Sequence, residues 1–158
     1  MLETPAPQNP FGSGDDTCFE LRGHVVAPFG PNGADTCTVK HGTRIFVAAS
    51  TYECSTFAGD LPGFKATEAE LRSCARANDL QVSPKVTVDG QPAVVTEVKT
   101  GLLSIHLPKV NIFGLAGGAR YGQSVAHGWV VPLHPLRRGL HTIIIEGSAT
   151  TTTTIIVK

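Results

Sequence analysis

The 158-residue chain has little charge: Asp, Glu, Lys and Arg make up 16% of it, and the formal net charge is +0. This balance excludes the basic footprint of a nucleic-acid-binding protein and the polybasic patch of a membrane-surface protein. No apolar run approaches the roughly 20 residues that a membrane-spanning helix needs. The sequence therefore predicts neither a nucleic-acid partner nor a transmembrane segment.

Standard catalytic and cofactor motifs are also lacking. The sequence contains no G-x-S-x-G elbow, no H-E-x-x-H pair and no P-loop. Its cysteines form no C-x-x-C pair, which disfavours a zinc site built from thiolates. We therefore predict no cofactor, with a divalent metal held by histidines as the alternative.

The four cysteines all lie in the first half of the chain, at Cys18, Cys37, Cys54 and Cys74. An even number of cysteines in a turn-rich chain with little charge predicts two disulfides, a secreted or cell-surface location and a signal peptide that has been removed. Four cysteines allow three connectivities, of which we favour the sequence-local pairs Cys18–Cys37 and Cys54–Cys74. The alternative is four reduced thiols buried as small apolar groups.

Turn formers punctuate the sequence, which has 17 Gly and 11 Pro between short runs rich in Val, Ile and Thr. This pattern predicts an all-β fold, an antiparallel β-sandwich of the Ig-like or jelly-roll-like kind. Residues 1–16 are predicted to form a flexible leader rich in Pro and Gly, and residues 17–158 a single domain.

One helix is expected near residues 67–77. Thr67 and Glu70 form a capping box, in which each side chain can satisfy the backbone N–H of the other residue. Leu71, Cys74 and Ala75 follow at helical spacing and would share one face.

Two segments in the second half predict hairpins and exposed positions. Lys85–Val88 and Ala93–Lys99 are predicted to pair around Asp89-Gly90, and Gln91-Pro92 after the turn implies a loop longer than two residues. In the strand from 102 to 107, His106 alternates with apolar residues and is predicted to face solvent.

A glycine-rich stretch from 108 to 122 is a candidate binding loop. It contains Phe113, Arg120 and Tyr121 among its glycines, and long loops of this kind are often functional. The alternative is a crossover loop that binds nothing.

The stretch from 125 to 147 predicts a core hairpin that contains three of the six histidines. If Arg137 and Arg138 formed its two-residue turn, His134 and His141 would be cross-strand partners with Cβ atoms about 5 Å apart. Such a pair could bind a metal, with a third ligand from His106, His127 or Glu146. The alternative is a surface pair, since Pro132 and Pro135 bend the first strand. Trp129 is predicted to be a core anchor.

Several phrases together resemble a family of small secreted bacterial proteins. They are GTRIFVAASTYECST, TEAELRSCA, VTVDG and SVAHGWVVPLHPLRRGLHTIIIEG, which span most of residues 42–157. The resemblance implies an exported β-sandwich and supplies no reaction. The chain departs from the family pattern at His127, where an Asp is expected. It also lacks an aromatic residue before Trp129, and Arg137-Arg138 replace a turn that contains Pro.

Three functional hypotheses follow. The first is a binding module for a glycan, a small molecule or a protein. The second is a small secreted hydrolase, lyase or cyclase, with His127, His134 or His141 acting together with Arg120 or Tyr121. The third is an assembly subunit that forms oligomers through exposed strand edges. A convergent cluster of these side chains in a pocket would favour the enzyme, and a flat aromatic or polar surface would favour the binding module.

Overall fold

The computed structural model of the chain describes residues 2–9, 18–28, 35–57, 67–79 and 83–158. Within these residues the strands are β1 (Cys18–Leu21), β2 (Val25–Pro28), β3 (Asp35–Val39), β4 (Arg44–Ser55), β5 (Lys85–Val88), β6 (Gln91–Pro92), β7 (Thr96–Lys99), β8 (Leu103–His106), β9 (Tyr121–Leu133), β10 (Gly139–Glu146) and β11 (Thr150–Val157). The helix α1 covers Glu68–Asp79, and short 3₁₀ turns cover Ala6–Gln8 and Gly117–Arg120. In this part of the chain, no helix is long and apolar enough to cross a membrane.

The strands form two mixed sheets. The first has the order β1-β2-β4-β9-β7, with β8 also paired to β9, and the second has the order β3-β11-β10-β5-β6. The all-β fold with one short helix is confirmed. The sheets are not antiparallel throughout, contrary to the prediction, because β2 pairs parallel with β4 and β3 pairs parallel with β11. Parallel neighbours are joined by crossovers rather than hairpins, so local turn signals do not reveal them. The sandwich arrangement stays a prediction.

The chain divides into two compact units, each assembled from separate stretches. The helical unit comprises Met1–Ser13, Thr51–Gln81 and Val98–Gly128, and the strand unit comprises Gly14–Ser50, Val82–Glu97 and Trp129–Lys158. Since neither unit is contiguous in sequence, the single domain expected over residues 17–158 stays a prediction.

The strand unit has one apolar core, to which both sheets contribute. Val26, Ile45 and Val131 from the first sheet cluster with Ile143 and Ile155 from the second. Alternation explains this packing: every second residue of β10 and β11 points inward, as the period of a strand requires. Burial of each Ile stabilises the fold by about 2 kcal/mol relative to an exposed side chain.

A disulfide joins the edges of the two sheets in the strand unit. Cys18 lies on β1, at the edge of the first sheet, and Cys37 lies on β3, at the edge of the second. The predicted Cys18–Cys37 pair is confirmed. Cys37 is fully buried, so the bond is part of the core.

In the helical unit, α1 begins and packs as its sequence predicts. The Thr67 N–H donates to Glu70 Oε2 at 2.8 Å, and the Glu70 N–H donates to Thr67 Oγ1 at 3.3 Å. Leu71 and Ala75 pack with Cys54 and Val125. The predicted Cys54–Cys74 disulfide is confirmed and ties the helix to β4. The helix extends to Asp79, two residues beyond the predicted end at Ala77.

The turn after β5 is shorter than predicted. Val88 pairs with Gln91, so Asp89 and Gly90 are the only residues of the loop. Both have positive φ, 51° and 76°, as a type I′ hairpin turn requires. The expected longer loop is wrong, because Pro92 lies in a two-residue edge strand where its missing N–H costs no ladder bond.

The first residues of the chain are hydrogen-bonded to other parts of the helical unit. The Ala6 N–H donates to the Val110 carbonyl at 2.9 Å, and Glu3 Oε1 accepts from the His106 N–H at 3.3 Å. Asn9 is fully buried. The predicted leader over residues 1–16 thus includes an ordered portion at residues 2–9, while residues 10–16 lie outside the described residues.

Candidate functional site

The predicted pairing of His134 with His141 is wrong. β9 and β10 belong to different sheets, and the partner of His141 is Ile155 on β11. β9 ends at Leu133, and His134 is exposed in the connection that leads to β10. The physical reason lies in the prolines of this stretch. A Pro provides no N–H for a ladder, so Pro132 and Pro135 favour a crossover between sheets over a tight hairpin.

Both ring nitrogens of His141 are already in use. Nδ1 lies 2.7 Å from Asp89 Oδ2, and Nε2 lies 2.8 Å from the Arg137 carbonyl oxygen. A carbonyl oxygen and a carboxylate both accept hydrogen bonds, so the protonated ring, an imidazolium, donates through both nitrogens. It then has no lone pair to bind a metal or to take a proton from a substrate.

The same contacts shift the pKa of both partners. The hydrogen bond with Asp89, followed by that with the Arg137 carbonyl, raises the pKa of His141 above its usual value. The hydrogen bond with His141, followed by that from the Thr142 N–H, lowers the pKa of Asp89. Asp89 also donates its own N–H to the Thr142 carbonyl at 2.9 Å. The cluster therefore joins β10 to the turn after β5.

The remaining predicted metal ligands lie in unlike settings. His127 is buried in β9, at 7% exposure, and Glu146 is exposed at the end of β10. Among the residues that the structure describes, no group of three or more His, Cys, Asp and Glu side chains could hold a metal ion. A metal at His134 and His141 stays a prediction, now without the cross-strand geometry that motivated it.

The glycine-rich loop places Tyr121 and His106 together on the surface. They are cross-strand partners on β9 and β8. Their rings stack with centroids 4.2 Å apart and planes inclined by 11°. Tyr121 is 63% exposed, and His106 is exposed as predicted. His106 covers one face of the phenol ring, and the exposed fraction of Tyr121 shows that most of the side chain remains accessible to solvent.

A second cross-strand pair extends this surface. Ser104 and Gln123 face each other two residues further along the ladder. They therefore lie on the same side of the strands as His106 and Tyr121. Both are exposed. We call these four residues, His106, Tyr121, Ser104 and Gln123, the Tyr121 surface. It combines a stacked aromatic pair with a hydroxyl and an amide.

Arg120 supports this surface from beneath. The Arg120 guanidinium donates to the Leu107 carbonyl at 3.0 Å, and the Leu107 N–H donates to the Arg120 carbonyl at 2.9 Å. The guanidinium is therefore held at the backbone just after β8. Arg120 thereby joins the start of β9 to the backbone after β8, next to the Tyr121 surface.

Asn111 fixes the rest of the loop, and the sequence interpretation missed it. Its side-chain amide donates to the carbonyls of Pro108 and Leu115, and its oxygen accepts from the N–H groups of Phe113 and Leu115, at 2.8 to 3.1 Å. Asn111 is 6% exposed. The available signal was an Asn directly before Ile-Phe-Gly, since Asn often bonds the backbone two residues ahead.

Aromatic packing anchors the loop from the other side of the strands. Phe113 stacks on Phe57 with centroids 5.7 Å apart. A Cβ at Gly122 would lie 2.7 Å from the Phe57 ring. Gly122 therefore allows the Phe57 ring to lie directly on β9, on the face opposite Tyr121. By contrast, Trp129, the predicted core anchor, is only half-buried.

Comparisons with known proteins add little to this geometry. No family model and no curated protein matches the chain. Among solved structures, it is similar to a cysteine protease inhibitor, EhICP2, from Entamoeba histolytica, with 12% identity over 85% of this chain and 95% of that one. The TM-score is 0.31, and a likeness this weak determines neither fold nor function.

Proposed function

We propose that the protein is an extracellular module that binds a glycan through the Tyr121 surface. The observation that carries the proposal is the exposed Tyr121 ring, stacked on His106 and held on a fixed backbone. Two disulfides accompany it, and disulfides persist in the oxidising environment outside the cell.

The chemistry of the surface fits a sugar better than a peptide or an ion. One side of a pyranose ring carries C–H groups that pack on an aromatic face, and its rim carries hydroxyls. The exposed ring of Tyr121 can pack against the C–H groups. Ser104 and Gln123 can donate hydrogen bonds to the hydroxyls and accept hydrogen bonds from them. None of these three side chains carries a formal charge at neutral pH, as expected for a neutral ligand.

Rigidity also supports binding at this surface. The backbone on both sides of the ring pair is hydrogen-bonded, through Arg120 with Leu107 and through Asn111 within the loop. A surface that is ordered before binding loses little conformational freedom when the ligand arrives. The loop is therefore a preformed support for the ring pair.

An enzyme centred on the predicted histidines has less support. The imidazolium of His141 donates through both nitrogens, and His127 is buried. The candidate residues that the structure does bring together are His106, Arg120 and Tyr121, and they form an exposed surface with Arg120 turned to the backbone.

The test is a glycan array followed by affinity electrophoresis in the best polysaccharide. We expect Tyr121→Ala to weaken binding at least about 5-fold, because a comparable stacking contact, a nucleobase on an aromatic side chain, is typically worth about 1–3 kcal/mol. Tyr121→Phe should retain most of the affinity, since the ring face remains.

The matched control is Tyr52→Ala. Tyr52 is the other of the chain's two tyrosines and is 44% exposed on β4. The Tyr52→Ala variant should bind the glycan as the wild type does. The proposal is contradicted if Tyr121→Ala is retarded as strongly as the wild type in every gel that retards the wild type. It is also contradicted if no glycan on the array binds the protein.

A further inference from the structure

A cleft of about 410 Å³ opens between the β1–β2 hairpin and β3 in the strand unit. The hairpin forms one wall, β3 and the residues after it form the other, and Cys18 of the Cys18–Cys37 disulfide is among the lining residues. Leu21 and Val25, which are both partly exposed, provide an apolar lining. The volume lies within the roughly 300–1,000 Å³ of small-ligand sites.

Opposite charges lie on the two walls. Glu20 belongs to β1, and Lys40 follows β3 at the other wall. Both side chains are exposed. Within the described residues, neither of them takes part in an ion pair. Each charge can therefore meet a charge of opposite sign on a ligand.

The rim of the cleft is held in a strained conformation. His24, which also lines the cleft, has a positive φ of 57° without being a glycine. Arg44 fixes this turn: its N–H donates to the His24 carbonyl at 3.0 Å, and its guanidinium donates to the Gly23 carbonyl at 3.1 Å. Backbone strain that the surroundings enforce is concentrated at functional sites.

We propose that this cleft binds a short apolar peptide with free termini. The peptide ammonium lies at Glu20, its carboxylate lies at Lys40, and an apolar side chain packs on Leu21 and Val25. Thr38, on the same wall as Lys40, provides a hydroxyl for the peptide backbone. The cleft shares no residue with the Tyr121 surface, so failure of either binding test leaves the other proposal unaffected.

The test pairs two ligand changes with two protein changes. Leucyl-leucine with free termini, its N-acetyl form and its C-terminal amide are each titrated by calorimetry into the wild type, Glu20→Gln and Lys40→Gln. We expect acetylation to weaken binding to the wild type about 5-fold and to have no effect on Glu20→Gln, because an exposed pair contributes up to about that factor. Amidation of the peptide's C-terminus should weaken binding to the wild type by a similar factor and should have no effect on binding to Lys40→Gln.

Two controls separate this site from the rest of the molecule. Lys85→Gln removes an exposed lysine of β5, and Tyr121→Ala disrupts the glycan surface; both should bind leucyl-leucine like the wild type. Equal affinity of the free and blocked peptides for the wild type would overturn the proposal. So would an absence of binding at millimolar peptide, or equal losses in Lys85→Gln and Lys40→Gln.

Discussion

The imidazole of His141 links three parts of the strand unit: β10, the turn at Asp89 and the connection that contains Arg137. Its two hydrogen bonds reach residues 52 positions earlier and four positions earlier in the chain. The sequence pattern placed this residue in a metal site, because spacing says nothing about acceptors so far away in sequence. The structural role depends on two oxygens that only the fold brings to the ring.

His141 and Asp89 should make stability depend on pH in a defined way. The pKa of His141 is raised, so its contribution is complete below about 6.5 and is lost as pH rises through the folded value. The pKa of Asp89 is lowered, so its contribution is present above about 3.9 and is lost as pH falls through the folded value. The pair stabilises most between these limits.

The measurement is urea unfolding of the wild type and His141→Gln from pH 4 to 9. The Asp89 side chain is 49% exposed, so solvent screening limits the pair to about 1 kcal/mol. We expect the variant to be less stable by that amount near pH 5.5 and the difference to shrink towards pH 9. His134→Gln, a change at an exposed histidine, should show no such trend. A difference that grows with pH would refute the interpretation.

At the scale of whole elements, α1 was the most predictable part of the chain. Its capping box, its buried face and its cysteine are all specified within nine residues, from Thr67 to Ala75. The structure reproduces them because the interactions are local. The strand β8 was equally visible, and its alternation correctly predicted an exposed His106.

The capping box predicts a measurable loss when it is broken. Thr67→Ala removes the hydroxyl that accepts from the Glu70 N–H, and loss of such a cap costs about 1 kcal/mol. Amide hydrogen exchange in the first turn of α1 and urea unfolding both report this loss. Ser73→Ala, an exposed change in the middle of α1, should be neutral or slightly stabilising. Equal destabilisation by the two variants would show that the cap contributes nothing.

The pairing of strands was much less predictable than their existence. The run from 125 to 147 contains two strands, as expected, but they join different sheets. Choosing between a hairpin and a crossover depends on partners distant in sequence: β5 for β10, and β4 for β9. The Tyr121 surface has the same origin, since the β8–β9 register sets His106 beside Tyr121. Candidate residues could be found from the sequence, but their neighbours could not.

Across the molecule, the two disulfides should supply much of the stability. Their sequence separations are 19 and 20 residues, and closing loops of that size stabilises a fold by about 3 kcal/mol each. The free energy of unfolding of a small protein is only about 5–15 kcal/mol in total. The fully reduced chain should therefore be marginally stable.

Urea unfolding with and without reductant checks this expectation. The variants Cys18→Ala/Cys37→Ala and Cys54→Ala/Cys74→Ala each remove one bond and should each lose about 3 kcal/mol. An intact-mass measurement confirms that the other bond remains. Unchanged midpoints after complete reduction would contradict the assignment of stability to these bonds.

Pro92 has a further consequence for how copies of the chain meet. It lies on β6, the last strand of the second sheet, and that strand has only two residues. The opposite edge, β3, is tied to β1 by a disulfide. A strand from another molecule thus meets a missing N–H at one border and a bonded hairpin at the other. Both features disfavour the addition of a strand from another molecule to the second sheet.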